Sequence, residues 1–136
     1  MRNSTSTVAG WLWSATARAE TWRSLLAKKR HAPAVRALVL LWPVTSASSD
    51  WKSYALYGGE RFLTAPLMKW MFDRYTTDAR AREEILLSPV NASREELFGL
   101  TPTLIAVAEN DILRDEGEAM GRRLDEAGVE TTTVRF

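Results

Sequence analysis

The chain has 136 residues, 46% hydrophobic and 26% charged, a mixture that supports one domain with a buried core and carries no compositional sign of disorder. It contains no cysteine, which rules out a disulfide framework or a thiolate metal site within these residues, and no apolar run of membrane-spanning length. The net charge of +1 conceals a division: residues 1–36 hold seven Lys or Arg against one acid, Glu20, whereas residues 37–136 hold eleven against sixteen.

Residues 1–23 differ in texture from the rest. They carry Trp11, Trp13 and Trp22 among Ser, Thr, Ala and Arg, and show neither helical nor strand period until about Thr21. Charge alone would point such a leader towards nucleic acid or an anionic membrane surface. It lacks the basic, apolar, small-residue plan of a secretion signal, so a cytoplasmic location is expected. Residues 24–30 read as the end of a helix, with Lys28, Lys29 and Arg30 at the terminus that favours cations. His31, the only histidine, follows in a basic loop before Pro33. Residues 37–41 form an apolar strand that Trp42 and Pro43 end, and residues 46–53 form a polar loop.

An insertion spans residues 51–87. Within it Thr64 is a candidate N-cap with Pro66 in the first turn, and Leu67, Met68, Trp70, Met71, Phe72 and Tyr75 make a broad apolar helix. Residues 79–87 continue as a charged, weakly amphipathic helix, Ser88 and Pro89 close the excursion, and residues 94–98 form one short helix. Residues 103–108 are a nearly unbroken apolar run, which predicts a strand buried on both faces. Polar residues arrive abruptly after it. Leu113, Met120, Leu124 and Ala127 then recur at helical spacing, Asp115, Glu116 and Glu118 occupy the turns where the helix dipole favours anions, and Gly128 supplies the stop. Residues 131–136 resume as a strand. Asp111 falls just beyond the carboxyl end of strand 103–108, the edge of an open α/β sheet where ligands and catalytic groups collect. The local pattern alone reads it as a turn or helix-cap residue.

The run Ala108-Glu109-Asn110-Asp111-Ile112-Leu113-Arg114-Asp115-Glu116-Gly117-Glu118 resembles the acid-bearing segment of the hormone-sensitive-lipase-like esterases, a branch of the α/β hydrolases. Leu40 to Thr45, Phe62 to Thr64, Met68 to Asp73, Ser88-Pro89 and Gly99 to Pro102 occur in that family's order and spacing, so the resemblance runs from about Ser24 to Phe136. It implies an α/β fold, here a partial α/β-hydrolase domain over residues 24–136: a mostly parallel sheet with a helical lid insertion. Asp111 would be the triad acid, which orients the catalytic imidazole and stabilises its charged form. Trp70, Met71 and Phe72 would face a small apolar ester from the lid, or bury their stripe in a core, since lid helices do both. No cofactor, metal or nucleic acid is expected.

The resemblance also shows what these residues lack. The family's nucleophile elbow, Gly-Asp-Ser-Ala-Gly-Gly-Asn between a strand and a helix, is absent. Family spacing lands on Ser14, but Leu12 and Thr16 stand where the strained turn demands glycine, so Ser14 is rejected as nucleophile. The genetic code offers an explanation. Residues 14–23 can be encoded as TCG GCG ACA GCG CGG GCG GAA ACG TGG CG, which read from each third base yields Gly-Asp-Ser-Ala-Gly-Gly-Asn-Val-Ala. Residues 1–23 are therefore expected to be an out-of-frame translation of a true elbow, which also accounts for the basic leader. Triad order in this fold is Ser, Asp, His, so His31 comes too early and reads as a surface loop residue. The family's His position, about 30 residues beyond Asp111, lies past Phe136. With Ser and His absent, the expectation is a fragment without esterase activity, prone to self-association through exposed edges. The alternative is a non-catalytic apolar-ligand-binding or dimerisation module.

Overall fold

A computed structural model describes residues 37–59 and 61–136, and the expectations for the leader, Ser14, residues 24–30 and His31 lie outside them. Three short strands, β1 (Leu38–Leu41), β2 (Thr103–Val107) and β3 (Thr131–Arg135), form one sheet in the order β1-β2-β3, both pairs parallel. Parallel neighbours require a crossover. From β1 to β2 the chain runs through α1 (Lys52–Tyr57), α2 (Ala65–Tyr75), α3 (Ala79–Glu83), a 3-10 turn (Pro89–Asn91) and α4 (Arg94–Leu97), and from β2 to β3 through α5 (Arg114–Glu126). Leu40 pairs with Ile105 and Ile105 with Thr133, so all three strands end at one edge. This is the α/β sheet with a helical excursion that the sequence predicts. Among the described residues no helix is long and apolar enough to cross a membrane.

The core lies between the sheet and α5. The predicted stripe, Leu113, Met120, Leu124 and Ala127, is fully buried, and its last three members join Leu40, Val90, Leu97, Ile105, Val107 and Val129 in one cluster. Helix and strands touch backbone to side chain: a Cβ at Gly117 would lie 2.6 Å from Val107 Cγ1, and one at Gly121 would run into Thr133. Gly128, at φ +78°, takes the left-handed conformation that ends α5, as expected of a glycine one residue past the last turn.

Three expectations need correction. Strand β2 is not covered throughout on both faces: Leu104 is 37% exposed, beside Val39 on β1, while Ala106 on the same face is buried, and α5 covers the opposite face, which carries Leu40, Ile105 and Val107. The helix expected over residues 79–87 stops at Glu83. Asp78 caps its start, but Leu87 N and Ser88 N both turn back to Glu84 O ahead of Pro89, whose ring disfavours helical geometry in the residue before it. The loop expected over residues 46–53 gives way at Lys52 to α1, which no sequence signal predicted. The capping of α2 is as predicted: Thr64 Oγ1 accepts from Leu67 N at 3.3 Å, with Pro66 in the first turn.

Candidate active site

Asp111 lies four residues beyond β2, at the carboxyl edge of the sheet. The loop that carries it is stitched to the end of β3 by Glu109 N to Phe136 O at 2.8 Å and Phe136 N to Val107 O at 3.1 Å. Its own Oδ1 accepts from Leu113 N at 3.0 Å and its carbonyl from Arg114 N at 3.2 Å, an Asx turn that leads into α5. The side chain is half-buried. Turn former and catalytic acid are thus compatible roles, since the backbone bond from Leu113 N engages one of the two carboxylate oxygens.

Side chains from the excursion hold this loop in place. Ser53 at the start of α1 donates its Oγ to Ile112 O at 2.6 Å, and its N–H donates to Asp115 Oδ2 at 2.8 Å. Asp115 Oδ1 in turn accepts from Arg114 Nε at 2.9 Å. Arg114, only 9% exposed, spreads its Nη1 over Tyr57 Oη and the Glu109 carbonyl, both at 3.0 Å, with its guanidinium 5.1 Å from the centre of the Tyr57 ring. A planar fork suits that set of partners, and a single ammonium does not. Arg114→Met is therefore expected to cost about 2 kcal/mol of stability, with no recovery in Arg114→Lys. Denaturant melts of the two variants check this, and full recovery by Lys would disprove the fork.

Apolar packing adds to these bonds. Ile112 and Leu113, fully buried, form a second cluster with Tyr54 and Met68, flanked by Trp42, Met71 and Phe72. Of the three lid candidates, Met71 and Phe72 sit half-buried against this cluster, beneath the loop of Asp111. Trp70 is 55% exposed and carries the Arg74 guanidinium 5.4 Å from its ring centre. Trp42 itself takes φ +46°, a left-handed conformation that costs a bulky residue about 1 kcal/mol or more. Its ring meets Phe136 edge-on at 5.9 Å, so the ends of β1 and β3 close together beside the acid loop.

Glu116 lies in the first turn of α5, as expected, and the structure adds that it is fully buried. Its Oε1 accepts from Thr45 N at 2.6 Å and Ser46 N at 3.1 Å, and its carbonyl accepts from Thr45 Oγ1 at 2.9 Å. Burial pushes its carboxyl up to about 8, against the two amides, which favour the charged form. A signal for this existed: Glu116 lies in helical phase with Leu113 and Met120, on the stripe that faces the core.

Comparison with known proteins follows the same outline. A family profile described as alpha/beta hydrolase fold matches residues 10–136. An ethyl acetate hydrolase of Pseudomonas putida is 36% identical over 104 residues, 76% of this chain and 32% of its own. The crystal structure of a thermostable esterase from Pseudomonas putida superposes at TM-score 0.80 with 52% identity, covering 85% of this chain and 36% of that one. That of a brefeldin A esterase, a bacterial homologue of human hormone-sensitive lipase, superposes at 0.74 with 32% identity, covering 85% and 34%. The chain thus spans about a third of the length of the relatives it matches.

Proposed function

The chain belongs to the α/β hydrolase fold family, in its hormone-sensitive-lipase-like esterase branch, and from that footing we propose that residues 37–136 supply the acid and the lid of a carboxylic-ester hydrolase. In this reading Asp111 accepts the Nδ1 proton of a catalytic histidine, fixes its tautomer, and stabilises the imidazolium formed when a serine attacks the ester carbonyl. The observation that carries the reading is the acid loop: a half-open carboxylate past the end of β2, with one oxygen held by Leu113 N. Residues 51–87 form the lid, and Met71 and Phe72, with Trp70 at the rim, line an apolar acyl site for short or medium esters.

These 136 residues by themselves are expected to leave esters uncleaved. No histidine follows Asp111 in the sequence, and no serine in it sits between the glycines of an elbow. The apolar face at Val39, Leu104 and Val134 favours self-association of the isolated chain. Two assays test the proposal together. The purified chain should show no hydrolysis of an aryl acetate above background. A graft in which residues 37–136 replace the matching segment of the Pseudomonas putida esterase should hydrolyse it. A graft that folds without activity, or turnover by the isolated chain, would reject this assignment.

A further inference from the structure

Glu116 takes no part in the triad chemistry, yet it is the most buried charged side chain among the described residues, at 0% exposed. It belongs to the first turn of α5, the turn whose Leu113 N–H holds Asp111 Oδ1 at 3.0 Å. From there it reaches across to a distant piece of chain. Its Oε1 accepts from Thr45 N at 2.6 Å and Ser46 N at 3.1 Å, and its carbonyl accepts from Thr45 Oγ1 at 2.9 Å. Thr45 and Ser46 are themselves buried, and they lie just beyond β1, where the chain leaves the sheet for the helical excursion.

Two buried amides that share one acceptor oxygen lose heavily if that oxygen is taken away, because no water reaches them to replace it. Neighbouring acids on α5 are committed elsewhere: Asp115 to Ser53 N and Arg114, Glu118 to Arg122 and Arg135. The bonds to Oε1 need no particular protonation state, since an amide N–H donates to a carboxylate and to a neutral carboxyl alike. Tyr54 of α1 brings its buried hydroxyl to the same carboxyl, so this side chain gathers α5, the exit from β1 and the first helix of the excursion. Asp111 therefore sits between two holds. Ser53 Oγ fixes the carbonyl of Ile112 beside it, and Glu116 fixes the helical turn that follows.

We infer that Glu116 is a positioning residue for Asp111: by holding the Thr45 and Ser46 amides it fixes the first turn of α5 against the exit from β1, and with that turn the Leu113 N–H that aims the acid. The inference rests on the reading of Asp111 as the triad acid and deepens it, but the hold itself is detectable without any turnover. Geometry says which replacements should serve. Glu116→Gln keeps an acceptor oxygen where Oε1 lies. Glu116→Met has similar length and no acceptor for the amides. Glu116→Asp keeps the carboxyl but draws it back by one methylene from both of them.

The deciding experiment is amide hydrogen exchange on the 136-residue chain, read at Thr45, at Leu113 and, in the centre of the sheet, at Ile105. In Glu116→Met, exchange at Thr45 and Leu113 should quicken about 10-fold or more, while Ile105 stays within about 3-fold of the unaltered chain. Glu116→Asp should loosen the same two amides by a smaller factor, and it is decisive if the Met variant does not fold. Glu116→Gln should leave all three amides within about 3-fold. In the active graft, Glu116→Met should lower kcat about 10-fold or more with little change in KM, since a misaimed acid impairs the histidine and not ester binding. The inference is overturned by an unchanged Leu113 beside a loosened Thr45, by equal acceleration at all three amides, or by a Gln variant as loose as Met. A fold lost in both Met and Asp variants would make Glu116 a prop of the whole chain, and would equally overturn it. A loosened Leu113 with kcat unaltered in the graft would keep Glu116 as the holder of the loop and reject Asp111 as the acid, so the two readings fall separately.

Discussion

Asp111→Ala in the active graft is expected to lower kcat for an aryl acetate about 10,000-fold while KM changes little, because a triad acid acts on the histidine and not on ground-state binding. The geometry sharpens this expectation. Asp111 Oδ1 is already occupied by Leu113 N, so the carboxylate is aimed before any histidine arrives. Asp111→Asn should keep the Asx turn through its carbonyl oxygen, and so preserve the fold at this loop, but it would present the wrong partner to an imidazole N–H. The two variants separate the roles. If Asn is as active as Asp, the residue is only a turn former; if Asn is as impaired as Ala while both melt like the parent graft, the carboxylate is chemical. A loss smaller than about 10-fold in both would place the triad acid elsewhere.

The second large effect concerns the floor on which the loop stands. Ile105→Ala is expected to destabilise the chain by about 2–5 kcal/mol, the range for a fully buried branched side chain whose cavity cannot collapse. Ile105 is 0% exposed in the central strand, paired on both sides and roofed by α5 at its glycine-lined contact. Leu104→Ala, one residue earlier on the open face, should cost far less, under about 1 kcal/mol. Urea denaturation of the two variants tests the unequal cover of Ile105 and Leu104 directly. Equal losses would mean that both faces are covered.

How far the sequence reached depends on the kind of signal each element carries. Helix α5 was legible to within a residue because its stripe, Leu113 to Ala127, repeats at 3.6 residues and Gly128 ends it. The strands were legible as short apolar runs, and Asp111 as a carboxylate just past one of them. Helix α1 was not. It has six residues, no side-chain cap and no apolar period, and it is held by Ser53 and Arg114 bonding to partners that lie about 60 positions away in the chain. Local propensity cannot report a helix stabilised from outside.

Sequence by itself thus determined the α/β class and the family resemblance, and it pointed to Asp111 as the candidate acid, because those depend on period, order and motif. Only the tertiary structure decided how that acid is held and what surrounds it. Periodicity says which residues face inward and not what they meet there. So the phase of Glu116 with Leu113 and Met120 marks it as inward-facing, and only folding shows that it meets the Thr45 and Ser46 amides there, away from water. The exposure of Leu104 on β2 has the same origin: an apolar run records that a strand is fit for burial, and the packing of neighbouring elements such as α5 settles which of its residues are covered.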